Sequence, residues 1–160
     1  MRKLVDFSLE SIAPLIGRSA NDVLLLEFFG EELGRIERDE YYGALQYKKN
    51  GVDVVFQEAC LVDGAREDRE LILIAFHLHA EGHEEFSQYR FSLPFDVNFG
   101  ANWGDLISGF DVVNSGGGIY SKALGGWIGR WFVVRSDNFD VHLQFDSKDC
   151  LVMVTLMLAN

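Results

Sequence analysis

The chain has 160 residues, 48% of them hydrophobic, and 25 acidic residues against 14 basic ones give it a net charge of −11. That is enough apolar material for one core without disulfides or a metal, and a surface of this sign repels nucleic-acid phosphates and anionic lipid. Asp6 and Glu10 interrupt the apolar stretch that a secretion signal needs, and the run "LVMVTLMLA" is about half of the roughly 20 residues of a membrane span.

In chain order, the first predicted element is a helix after "APLIGRSAND". Leu25, Phe28, Phe29 and Leu33 recur at helical spacing, Asn21 or Asp22 is its cap, and Gly30 weakens it. Strands are predicted at 41–48, 52–60 and 71–79, with "KKNG" as the hairpin turn between the first two and "VDGAREDRE" as a loop insertion. The same order then returns. "LPFDVNFGANWGDLISGFDVV" repeats a Pro, an Ala-Asn pair and a helical stripe, here Leu106, Ile107 and Phe110, with Asn102 as cap and Gly104 and Gly109 weakening the helix. The only two prolines, Pro14 and Pro94, stand 80 positions apart. A glycine-rich insert, "NSGGGIYSKALGG", reads as a mobile loop, and strands follow at 127–135, 139–146 and 150–158. The expected fold is α+β in a single domain, 1–160. It consists of tandem α-β-β-β repeats, about 10–80 and 90–160, forming an antiparallel sheet with helices packed on one face and a solvated face opposite.

Chemistry-bearing patterns are few. In "HLHAEGHEE", His77 and His79 share one face of a strand, and His83 with Glu81 or Glu84 completes a possible metal-ligand set. The hydrolytic His-Glu-x-x-His spacing is absent, and a strand end whose polar face meets solvent is the plainer reading. The glycine-rich insert lacks the phosphate-loop spacing, and no serine sits in a Gly-x-Ser-x-Gly elbow. Cys60 and Cys150 open or close strands, which suggests packing thiols in a reducing, cytoplasmic setting. No catalytic set and no cofactor are therefore expected. The acidic run "EFFGEELGRIERDEYY" is more suggestive, because charges steer a basic partner and buried rings hold it. Glu31, Glu32, Glu37, Asp39 and Glu40, with Tyr41 and Tyr42 beside them and Tyr120 and Trp127 in the insert, are the expected partner-binding residues.

The combination of "LIGRSANDVLLLEFFGEELG", "SLPFDVNFGANWGDLISGF", the glycine-rich insert before "GGWIGRWFVV" and the closing "VHLQF…CLVMVTLML" resembles small immunity proteins encoded beside bacterial polymorphic toxins, including those of contact-dependent inhibition. The tandem helix-and-sheet plan is similar to the β-lactamase inhibitory protein architecture, whose curved sheet clasps a target enzyme. The resemblance implies a cytoplasmic, non-catalytic antidote that covers a cognate toxin domain, often a basic nuclease. The alternative expectation is a metal-binding protein or metal-dependent hydrolase using His77, His79 and His83.

Overall fold

A computed structural model describes residues 5–64 and 68–159. The chain opens with a single turn, α1 (Leu9–Ile12), and runs on into a tighter turn at Ala13–Leu15, where Pro14 occupies an early position that needs no N–H. The helix α2 (Val23–Phe29) starts where the side chain of Asp22 accepts the Leu24 N–H at 2.8 Å. Asn21 is not the cap; its side-chain amide donates to Glu70 instead. Gly30, at φ +56°, ends the helix, and Gly30–Arg35 continue as a 3-10 helix. The predicted stripe out to Leu33 is thus cut short by its own glycine.

Next come β1 (Glu37–Arg38), β2 (Tyr42–Tyr47) and β3 (Val52–Glu58), then the short helix α3 (Ala59–Val62) and β4 (Leu71–His79). Part of the predicted loop insertion, 65–67, lies outside the described residues. In the second half α4 (Trp103–Ile107) has five residues and is capped by Asn102, which accepts the Gly104 N–H at 2.9 Å. It is followed by β5 (Val112–Gly116), β6 (Ile119–Ser121), β7 (Gly126–Ile128), β8 (Trp131–Arg135), β9 (Phe139–Phe145) and β10 (Leu151–Leu158). Eight strands form one antiparallel sheet in the order β1-β2-β3-β4-β10-β9-β8-β5, and β6 and β7 form a separate hairpin.

The strand expected at 127–135 is two strands. A Cβ on Gly129 would collide with the Phe145 carbonyl, and one on Gly117 would collide with the Gly129 carbonyl, so the chains cross here at backbone contact. That crossing separates β7 from β8. The insert expected to be a mobile loop is therefore the end of β5 followed by the β6–β7 hairpin.

Alternation sends Val52, Val54 and Phe56 of β3, Val141, Leu143 and Phe145 of β9, and Val154 and Leu156 of β10 to one face, all buried. Phe7, Ile12, Leu15, Leu25 and Phe29 from the N-terminal segments join the same core. Phe29 meets Phe56 edge-on with ring centroids 6.3 Å apart, and Phe110, just past α4, packs on Phe132 at 5.8 Å. Burying each such side chain contributes about 1.5–3 kcal/mol. Two short backbone ladders dock the segments before α2 and α4 onto the sheet. Gly17 N–H donates to the Leu73 carbonyl and Leu73 N–H to that of Arg18; likewise Gly100 donates to Leu151 and Leu151 to Ala101. On the opposite face, register aligns Gln46, Asp53, His77, Thr155, His142 and Val133 in one row across six strands.

Candidate functional site

The acidic run folds into one wall of a groove of about 990 Å³ between the α2-to-Arg35 segment and the outer side of β2. Phe28, Phe29, Leu45 and Tyr47 form its apolar part, and Asp6, Glu27, Glu31, Glu32 and Glu37 its acidic part, against Arg35, Lys48 and Lys49. Two of those three cations are already engaged: Arg35 with Glu32 and Lys48 with Glu85, each at 3.4 Å. Arg38 turns away from the groove. With Arg69 it clamps the buried Glu58 carboxylate at 2.7 and 2.9 Å, and these hydrogen bonds hold the Glu58 pKa below the ordinary carboxylate value against the cost of burial. Among the described residues Glu27, Glu31 and Glu37 have no ion-pair partner, so the groove keeps an uncompensated negative charge.

Two further features complete the groove. The two-residue β1 pairs with β2 only at Gly43 and Ala44, which among the described residues leaves Leu45–Tyr47 as an uncovered strand edge. The Tyr47 hydroxyl is shielded from solvent without a hydrogen-bond partner among the described residues, and burial, with Glu32 nearby, pushes its pKa up to about 12. Sequence reasoning singled out Glu31, Glu32 and Glu37 but missed Asp6, Phe28 and Tyr47, which join them only through the fold.

The other expected residues lie elsewhere. Asp39 accepts the N–H groups of Tyr41 and Tyr42 at 3.0 and 2.8 Å and shapes the turn into β2, from which Glu40, Tyr41 and Tyr42 are exposed. Tyr120 and Trp127 face each other across the β6–β7 hairpin, 67% and 47% exposed, with Ile119 and Leu124 exposed beside them. This hairpin hangs from the β5–β8 edge, the far side of the sheet from β1. Seven strand spacings of about 4.8 Å put the two edges roughly 34 Å apart, so the expected binding residues form two patches.

All four histidines gather on the open face of the sheet. The His77 Nδ1 pairs with the Thr155 hydroxyl at 2.7 Å, and His142, two strands away, stacks under Trp131 at 5.3 Å. Burial lowers the pKa of His77, His83 and His142, and neighbouring rings lower each further. These imidazoles are therefore neutral at pH 7. His79 is fully buried, lies flat on Phe86 at 4.0 Å, and contacts Asp53 through Nε2 at 3.2 Å and His83 through Nδ1 at 2.9 Å. His79, His83 and Glu84 bring one ligand atom each within 4.8 Å of one another. His77 stands outside that group, and Glu81 is occupied by the Gln88 N–H at 2.9 Å. Both cysteines are free and half-buried.

No family model matches the chain. Among solved structures it is similar to an extracellular protein containing an SCP domain from Bacillus anthracis str. Ames, at 17% identity and a TM-score of 0.53. The match covers 98% of this chain and 48% of that one, so the chain spans about half the length of that protein. At this identity the likeness concerns the fold alone. No helix among the described residues is long and apolar enough to cross a membrane.

Proposed function

We propose that this chain is a non-catalytic immunity protein that binds and neutralises a cognate bacterial toxin domain carrying a basic surface, of the kind a nuclease presents to nucleic acid. The observation that carries the reading is the groove: unpaired carboxylates of Glu27, Glu31 and Glu37 beside an apolar floor, a strand edge free to pair, and a buried Tyr47 hydroxyl awaiting an acceptor. An extended basic segment with alternating apolar side chains satisfies all four at once. The exposed rings of Tyr120 and Trp127 offer a second hold. A partner must span about 34 Å to reach both patches, slightly more than the roughly 30 Å width of a small domain.

The alternative, a metal-binding protein or metal-dependent hydrolase using His77, His79 and His83 together, has weaker support, since Thr155 engages the Nδ1 of His77. We also infer that the scaffold arose by tandem duplication of one α-β-β-β unit. Read outward from the β4–β10 seam, each half gives three meandering strands and a short edge strand, and the ladders at Gly17 and Gly100 repeat bond for bond.

The test is co-expression with the product of an adjacent toxin-like gene. A one-to-one complex that weakens as salt rises, together with loss of the toxin's activity, is the expected result. Neither association nor protection would sink the reading.

A further inference from the structure

We infer that His79, His83 and Glu84 form a binding site for one borderline transition-metal ion of the zinc class, independent of any protein partner. The ligand set is two imidazoles and a carboxylate, which suits zinc and disfavours calcium and magnesium, both of which take oxygen donors. With the Asp53 carboxylate accepting from Nε2, the lone pair of His79 lies on Nδ1, where a metal can take it. That carboxylate–histidine arrangement orients a metal-binding imidazole, and the flat contact with Phe86 fixes the ring further.

The second ligand is delivered by a strained turn. Gly82, Glu84 and Glu85 all have positive φ, at 77°, 51° and 70°, and two of the three are not glycine. The turn brings His83 Nδ1 to 2.9 Å from His79 Nδ1. Two nitrogens bound tetrahedrally at about 2.0 Å from a zinc lie about 3.3 Å apart, so the rings need to part by only a few tenths of an ångström. Among the described residues the Glu84 carboxylate has no hydrogen-bond or ion-pair partner, although its backbone is held in a conformation that side chains disfavour. Three protein ligands leave a fourth position for water.

The test uses the full chain without a tag, stripped with a chelator and dialysed against zinc before elemental analysis. One zinc per chain is expected to remain. His79 is buried and its replacement threatens the fold, so the ligand variants are His83→Asn and Glu84→Gln, with circular dichroism to verify folding. His83→Asn should lose the ion, Glu84→Gln should hold it more weakly, and Asp53→Asn should weaken it about 10–100-fold. His142→Gln, on the same face but outside the cluster, should retain it. Absence of bound zinc in the unmodified chain overturns the assignment, and so does undiminished binding by folded His83→Asn.

Discussion

The two edges of the sheet are built for different kinds of contact. At the β1–β2 edge a groove carries more carboxylates than cations, and its rings, Phe28, Phe29 and Tyr47, are set back in the floor. At the β5–β8 edge a hairpin projects with Tyr120, Leu124 and Trp127 exposed and one basic residue, Lys122, between them. Charge in a recess accelerates encounter, whereas exposed rings gain their energy only once a partner buries them. Under the proposed binding role, the difference assigns the association rate to the first edge and the dissociation rate to the second. Under the same role each patch supplies what the other lacks: neither alone combines steering with a large desolvated anchor.

The largest expected effects test whether each edge rests on its own half of the core. Phe56 carries Phe29 and with it the helix that forms the groove wall; Phe132 carries Phe110 beneath the other edge. Phe56→Ala and Phe132→Ala should each cost about 3–5 kcal/mol in urea unfolding, the usual range for emptying a fully buried phenylalanine site. A large cost at one position and a negligible one at the other would break the equivalence of the halves.

Next in size is the anchor. If the proposed toxin complex forms, Trp127→Ala should weaken it by about 2 kcal/mol or more, mainly through faster dissociation, without altering thermal stability. Surface-plasmon kinetics separates this from the groove, where Glu31→Lys combined with Glu37→Lys should slow association about tenfold at low salt and much less at high salt. If the charge reversals acted on dissociation and the tryptophan on association, the division of labour between the edges would be wrong.

Local patterns carried much of the fold. A continuous apolar run located the strand at 71–79 to the residue, and Asp22 and Asn102 cap their helices as their side-chain chemistry demands. What local pattern could not carry was anything set by a distant neighbour. Gly129 breaks a continuous apolar stretch because the Phe145 carbonyl passes against it, and nothing near residue 129 announces that. The strand β5 is missed because Asn114, Ser115 and Gly116 have no apolar alternation; it is held as an edge by β8. In the candidate site the acidic run was legible, but the inward turn of Arg38 toward Glu58, which leaves the groove unneutralised, depends on where Glu58 sits in the sheet. His142 joins the other imidazoles only through the register of β9 and β10.

That histidine supplies the smallest expected effect, and it separates the open face from both edges. His142 lies under Trp131, beside Thr155 of β10 and Val133 of β8, with His77 one strand further on and the Asp140–Arg135 pair in the next row. Burial first, and the His77 ring second, lower its pKa below the ordinary 6.5. The folded state therefore binds fewer protons than the unfolded chain once the pH falls under that value. Its contribution to stability is complete above pH 6.5 and is lost as the pH drops from there toward the depressed folded value. One proton's difference changes stability by at most about 1.4 kcal/mol per pH unit. His142→Gln should therefore flatten the decline between neutral pH and pH 5.5 in urea titrations, leaving intact the steeper acid loss that sets in below the ordinary carboxylate value of 4.5 as Glu58 protonates. An unchanged slope in the variant would mean that the imidazole is as free to take up a proton in the folded sheet as in the open chain, and that the face between the two edges is wetter than its packing indicates.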